Sequence, residues 1–301
     1  MSEISPIILF ACNRPCHTKK TIDALIENSE HKLSDFYIFL DIPKSMDSLG
    51  DYAKVKEIIY SYVNSSFKSV SIIERSRNFG LAENILDGVG RVIDKHGKAI
   101  VLEDDIVVSN VFLKFMNDAL NKYENNEKIW HISGWNYPVN FEGDASECFF
   151  WGTMNCWGWG TWKSRWVSFQ KEPDNLVKNW SRKKIKKFNL DGVENFWSQV
   201  VNNHNEKINT WAVFWYATIF ENKGLCLNPK ISLVENIGLD GSGTHCNDED
   251  IYKGEVGKKS PLLPNEVFVD ERCVSLIKDF YRSNQYPLWK KVVNKIKQVF
   301  I

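Results

Sequence analysis

The chain of 301 residues has no excess charge, since 38 Lys and Arg balance 38 Asp and Glu. A nucleic-acid-coating protein is normally basic, so that class loses weight and no nucleic-acid partner is expected. Paired cysteine motifs are missing too. The seven cysteines (12, 16, 148, 156, 226, 246 and 273) are odd in number and scattered, which argues against a disulfide framework or a structural zinc site. No stretch approaches the roughly 18 apolar residues of a membrane span. The opening MSEISPIILFACNRP has no basic leader, and its apolar run reads as a strand rather than a signal peptide. A reducing cytoplasmic location follows as an expectation, with peripheral contact on the cytoplasmic face of a membrane left open by the C-terminal tail.

Tryptophan is plentiful: there are 12, eleven of them clustered between Trp130 and Trp215. Most Trp side chains are core residues. A dense cluster near loops also suits sugars, because flat rings pack on pyranose C–H faces and indole N–H groups donate to hydroxyls.

The first hundred residues repeat one pattern. Apolar runs at 5–12, 36–41, 69–74 and 98–102 alternate with helical patterns at 15–28, 52–63, 81–95 and 111–123. Such alternation indicates βαβ units and an α/β fold with a mostly parallel sheet flanked by helices. Ligands of such sheets bind beyond the carboxyl ends of the strands. The segments following the four runs are Asn13-Arg14-Pro15, Asp41, 75–80 (RSRNFG) and Glu103-Asp104-Asp105. Topology brings all four towards one edge. In the second half, 160–169, 193–204 and 210–222 read as helical, and 129–134, 148–152, 225–227 and 231–234 as extended. Residues 236–247 (NIGLDGSGTHCN) form a glycine-rich loop.

The acidic triplet carries the strongest chemical signal. Adjacent carboxylates after a buried strand repel one another unless a cation sits among them. Mg²⁺ and Mn²⁺ take oxygen ligands and share them with substrate phosphates. A bound metal stabilises the charge of a diphosphate leaving group. The bland alternative is that the acids cap the next helix. Arg14 suits a phosphate, and Asp41 a base or ribose. Arg77, Asn78 and Asn84 surround Gly80 where backbone amides can face a ligand, although loop polar residues are often plain turn formers.

The order strand–ACNRP, strand–LD, strand–RSRNFGLAEN, strand–LEDD resembles the GT-A (nucleotide-diphospho-sugar transferase) fold. It is most similar to the group around the N-acetylglucosaminyltransferase that starts complex N-glycan branching, and to bacterial surface-polysaccharide glycosyltransferases. The resemblance covers roughly residues 6–247. It implies an inverting transfer of a hexose or N-acetylhexosamine, in bacterial polysaccharide synthesis, from a nucleotide-diphosphate sugar (a UDP-sugar favoured) to a glycan or lipid-linked glycan. Asp105 would ligate Mn²⁺ or Mg²⁺, Glu103 and Asp104 would contact ribose and donor sugar, and Asn13, Arg14, Pro15 and Asp41 would hold the nucleotide. Residues 130–136 (WHISGWN) resemble the family's S-x-W-N segment, and 158–162 (GWGTW) its acceptor-side segment. Trp135, Asn136, Trp157, Trp159 and Trp211 are thus expected at the acceptor. The late loop resembles the family's Gly-rich loop ending in His, which makes His245 a metal or phosphate contact. One position departs: relatives carry an acid in a W-D-x-x-W segment, and here Ala212 stands in WAVFW. A general base must come from elsewhere, with Asp240 first and Glu235 behind it.

The expected organisation is a catalytic unit at 1–247, with a nucleotide-sugar half (1–125) and an acceptor half (126–247), then a helical extension at 248–301. That extension ends in a basic amphipathic helix (287–301) fit to dock on its own domain or on an anionic membrane. Residues 178–188 (KNWSRKKIKKF) add a second cationic cluster. A sugar-phosphate nucleotidyltransferase and a non-catalytic carbohydrate-binding protein on the same fold are the alternatives. The first would show a glycine-rich loop where Asn13-Arg14-Pro15 stands. The second is favoured only by Ala212.

Overall fold

The computed structural model describes residues 4–141, 146–239 and 251–284. Asp240, His245 and the basic helix expected at 287–301 lie outside the described residues. The strands are β1 (Ile7–Ala11), β2 (Asp35–Leu40), β3 (Ser69–Glu74), β4 (Lys98–Glu103), β5 (Ile106–Val108), β6 (Ile129–Ser133), β7 (Cys148–Trp151), β8 (Trp159–Trp162), β9 (Leu225–Pro229) and β10 (Val234–Asn236). The helices are α1 (Pro15–Ile26), α2 (Leu49–Ser61), α3 (Gly80–His96), α4 (Phe112–Lys122), α5 (Lys163–Trp166), α6 (Pro173–Asn179), α7 (Arg182–Phe188), α8 (Trp197–His204), α9 (Ala212–Glu221) and α10 (Glu271–Asn284).

The fold is a mixed α/β layer structure around one mostly parallel sheet. Its strand order is β3-β2-β1-β4-β8-β6-β9-β7. The first four strands are parallel, as the βαβ pattern requires. β1 is apolar at every position and buried throughout, as expected of a strand covered on both faces. Its central position places the turn after Ala11 beside the turn after Glu103.

Beyond β4 the sheet changes character. β8 inserts antiparallel between β4 and β6. Residues 160–169 are therefore not one helix: they finish β8, then form the short α5. The Trp-Gly-Thr-Trp segment favours a pleated, packed surface, and four residues are too few to show a period. The expected strand at 231–234 shifts to β10, which pairs with β5 in a separate two-stranded ribbon. The described cysteines are all free. Among the described residues, no helix is long and apolar enough to cross a membrane.

The tryptophan cluster is mostly core. Trp159 and Trp211 are 1% and 2% exposed and stack at 5.2 Å, which corrects their expected place on an acceptor surface. His131 also stacks on Trp159, at 5.4 Å. Its Nε2 lies 2.9 Å from the Asn155 carbonyl, and its Nδ1 accepts from Trp215 Nε1 at 3.2 Å. Those partners require the neutral Nε2–H tautomer, because a second proton would face an N–H donor. Burial, only partly opposed by the Asn155 carbonyl, holds His131 down at about 3.

Between pH 6.5 and about 3 the unfolded chain therefore binds a proton at this site that the folded chain refuses. Stability present above pH 6.5 is lost as the pH falls through this window. The effect is up to about 2–3 kcal/mol by roughly pH 4.5. In urea unfolding against pH, His131→Leu should start less stable at neutral pH but lose less on acidification. Parallel pH profiles for the two proteins would remove His131 as the cause.

Candidate nucleotide and sugar site

Four segments meet at the carboxyl edge of the parallel strands. Pro15 opens α1 at a position where its missing N–H costs nothing. Arg14, just before it, turns its guanidinium across the edge. Nη1 donates to Asp105 Oδ2 at 2.8 Å, and Nη2 pairs with Asp104. The expected cation among the carboxylates is thus, in this structure, a guanidinium. Thr21 Oγ1 donates to the Asp104 carbonyl at 2.9 Å and ties α1 to the same turn.

The three acids sit in different environments. Asp104 is 3% exposed; burial lifts its carboxyl to about 6 even though Arg14 pulls the other way. Glu103 is half-buried, and no hydrogen-bond donor reaches its carboxylate among the described residues. Burial first, then the charges of Asp105 and Asp104, push Glu103 up to about 8 against the pull of Arg14. Both shifts express the same condition: more negative charge converges here than one guanidinium compensates.

The β5–β10 ribbon brings the late loop over this cluster. Ile237 N–H donates to the Asp105 carbonyl at 2.9 Å, and His17 Nε2 lies 3.2 Å from the Ile237 carbonyl. Gly238 then passes so close that a Cβ there would lie 2.2 Å from Asp105 Oδ2 and 3.0 Å from Arg14 Nη1. Only glycine permits that approach.

Asp41 does something other than the expected base or ribose contact. Its two oxygens accept from Phe79 N–H at 2.9 Å and Gly80 N–H at 2.8 Å, at the start of α3. Gly80 has φ +67°, which favours glycine. Asn78 Nδ2 donates to the Ile42 carbonyl at 2.5 Å. Asn84 is 2% exposed and accepts from Arg75 Nε at 2.8 Å, while Arg75 lies between Phe39 and Phe79. Asp41, Asn78 and Asn84 therefore build the turn after β3, which occupies both Asp41 oxygens, Asn78 Nδ2 and Asn84 Oδ1. Sequence reading overlooked Arg75, the buried cation that organises this turn. Its signal was the arginine directly after β3. Arg77 is exposed, pairs with Glu83 and stacks on Phe79 at the rim. Asn13 keeps an unpartnered side chain among the described residues. Cys12 links the two clusters: burial, then Asp41 and Asp104, push its thiol up to about 12.

Two cavities adjoin this edge. One, of about 250 Å³, is lined by Trp135, Asn155, Cys156, Trp157, Tyr216 and Ala212 among others. No carboxylate, histidine or cation belongs to its described lining. Cys156 of this lining is within electrostatic reach of the acids: burial, then the charges of Glu103 and Asp105, raise its thiol. Ala212 opens α9 and contributes a methyl group to the lining of this cavity. The second cavity, of about 310 Å³, shares Trp135 and Trp157 with the first and adds Asn136, Glu235 and Lys253. Asn136 is 2% exposed and donates to the Lys230 carbonyl at 3.1 Å. Glu235 faces Lys253 at 3.9 Å, and neither Asp104 nor Asp105 lines its cavity.

No protein-family model matches the sequence, and a comparison with curated proteins returned no match. Solved structures do resemble the fold. S. aureus TarS (1–349) aligns at 10% identity over 76% of this chain and 59% of TarS 1–349, with a TM-score of 0.42. The same protein in complex with UDP gives 11% identity, the same coverages and a TM-score of 0.41. An active-site mutant of LgtC gives 10% identity over 71% of this chain and 70% of LgtC, with a TM-score of 0.35. The chain thus spans little more than half of TarS 1–349. Identities and TM-scores this low leave every statement about activity to the site itself.

Two substitutions test the geometry. Arg14→Met leaves Asp104 and Asp105 without their cation and should lower unfolding stability by about 1–3 kcal/mol, discounted for the partial exposure of Arg14. An unchanged urea midpoint would contradict the reading of this pair as a constraint on the edge. Gly238→Ala should separate the late loop from Asp105, read as faster proteolysis after residue 236. Wild-type cleavage rates would show that the loop is held by other contacts.

Proposed function

We propose that this chain is a glycosyltransferase that moves a sugar from a nucleotide-diphosphate sugar, UDP favoured, to a hydroxyl of a glycan or lipid-linked glycan. One observation carries the reading. An under-compensated acid triplet, with one carboxylate lacking donors among the described residues, stands at the carboxyl edge of parallel strands near an uncharged aromatic cavity. The first is suited to a metal-bound diphosphate, and the second to a neutral pyranose.

Among the described residues, no three His, Cys, Asp or Glu converge as a metal cluster. Mg²⁺ is commonly held by one or two carboxylates together with substrate phosphates, so the hard oxygens of Asp105 and Glu103 fit that role. Bound there, Mn²⁺ or Mg²⁺ would neutralise charge on the diphosphate leaving group. His245 remains a proposed further ligand.

The chain's own residues supply the rest. Arg14 is the guanidinium nearest the acids, and a diphosphate arriving there offers it a second set of oxygens. Asn13 offers a free amide at the same edge. Trp157 and its aromatic neighbours wall the sugar pocket and exclude water, which matters because hydrolysis competes with transfer. Residues 1–125 form the nucleotide half of this scheme and 126–247 the acceptor half. An inverting displacement needs a base for the acceptor hydroxyl. With Ala212 at the cavity wall, that proton goes to Glu235 at the neighbouring rim or to Asp240.

The uncharged cavity also favours a second reading, a carbohydrate-binding protein without turnover. Release of nucleoside diphosphate from a panel of nucleotide sugars, with acceptor and divalent cation present, separates the two. The wild type should turn over, and Asp105→Asn should lose on the order of a hundredfold or more. Of Glu235→Gln and Asp240→Asn, the variant that loses on the order of a hundredfold identifies the base. No release by the wild type with any donor, alongside retained glycan binding, would establish the second reading.

A further inference from the structure

The most strongly charged exposed surface lies away from the acids. α7 carries Arg182, Lys183, Lys186 and Lys187, all exposed. Their spacing places like charges four residues apart on one helix face, which works against the helix in isolation. The helix is held instead by Ser181, which accepts from Lys184 N–H, and by fully buried Phe188. Its remaining lysine, Lys184, is neutralised by Glu221 at 2.5 Å. Among the described residues, none of the other four cations forms an ion pair or a side-chain hydrogen bond. Asp191, just after the helix, is held below the usual carboxylate range by Lys278 first, with smaller contributions from Lys186 and Lys187. In a chain of zero net charge, this is a local concentration of cations.

We infer that the α7 face docks on an anionic lipid bilayer. Three observations select lipid over other polyanions. Single-stranded nucleic acid binds through exposed aromatic platforms, and the aromatics of this region pack on one another instead: Trp180 and Phe188 are 7% and 0% exposed, and Phe196 and Trp197 are half-buried against them. Lys278 of α10 reaches Asp191, directly after α7, at 2.6 Å. In the sequence, residues 285–301 begin seven positions beyond Lys278. That segment combines four lysines with Leu288, Trp289, Val292, Val293, Ile296, Val299 and Phe300 and contains no acid. Apolar residues interleaved with lysines suit a bilayer surface, where a purely polar polyanion would give them no partner.

The patch also lies close to the aromatic cavity. Phe188 stacks on Tyr216 at 4.3 Å, Tyr216 Oη donates to the Phe188 carbonyl at 2.8 Å, and Tyr216 lines the cavity. Docking through α7 would hold that cavity one side-chain layer from the membrane. Under the proposed activity, the acceptor is then lipid-linked. Only this consequence rests on the glycosyltransferase reading; the docking does not.

Co-sedimentation of the full chain with equimolar phosphatidylglycerol–phosphatidylcholine vesicles, without nucleotide sugar, tests the docking. The wild type should bind these vesicles, fail to bind pure phosphatidylcholine, and dissociate as salt is raised. A triple variant Lys183→Glu, Lys186→Glu, Lys187→Glu should lose on the order of tenfold or more in partitioning. The same charge change placed on the nucleotide half (Lys54→Glu, Lys68→Glu, Lys95→Glu) should cost less than about threefold, because those residues lie off the patch. Matching thermal melts would confirm that both variants fold, and Lys→Gln at the three α7 positions provides a milder variant if the first does not. Equal losses in the two triple variants would reduce the effect to net charge. No wild-type binding to anionic vesicles, or α7-dependent binding to dextran sulfate in its place, would overturn the inference.

Discussion

Converging negative charge at the end of β4 is the constraint on which the rest of this molecule depends. Glu103, Asp104 and Asp105 follow a buried strand, so their carboxylates cannot simply turn to solvent. Arg14 bridges Asp104 and Asp105, and Glu103 remains without a donor. A fold seeking stability alone would gain by replacing one of these acids, since breaking or crowding buried charges is costly. Strain of this kind persists where a ligand or a reaction uses it.

Local structure around the edge follows from holding that charge. β1 is central, so Arg14 at its end can reach across to the β4 turn. Pro15 starts α1 immediately, and Thr21 fastens that helix to the Asp104 carbonyl. The β5–β10 ribbon lies beyond the main sheet, yet it brings Gly238 onto Asp105. On the neighbouring turn, backbone N–H groups hold Asp41, while Arg75 pairs with Asp87 and donates to Asn84. Those contacts build the turn, which is why it reads as scaffold and the acid triplet as site.

The parallel half of the sheet was legible because apolar runs and helical periods alternated strictly there. Proximity of the four post-strand segments followed from topology alone. The roles of individual polar residues did not. Asp41 and Asn84 are ordinary candidates for ligand contacts by type, but backbone N–H groups at the start of α3 and the buried guanidinium of Arg75 claim them first. Nothing in residue type distinguishes an aspartate that caps a turn from one that binds ribose. Trp159 and Trp211 were misplaced for a related reason: a packed indole and a sugar platform have the same composition. β8 was hidden because four residues carry no period, and its antiparallel pairing is set by its place between β4 and β6. Ala212 lies in a described cavity wall that carries no carboxylate, histidine or cation.

The central claim is that the acid cluster binds the diphosphate of a nucleotide with help from a divalent cation. Calorimetric titration of UDP and other nucleoside diphosphates into the wild type and Asp105→Asn, each with and without Mn²⁺, tests it most directly. The account predicts binding by the wild type that depends on Mn²⁺, and its loss in Asp105→Asn. Binding of equal affinity in all four conditions, or no binding of any nucleoside diphosphate with Mn²⁺ present, would contradict it.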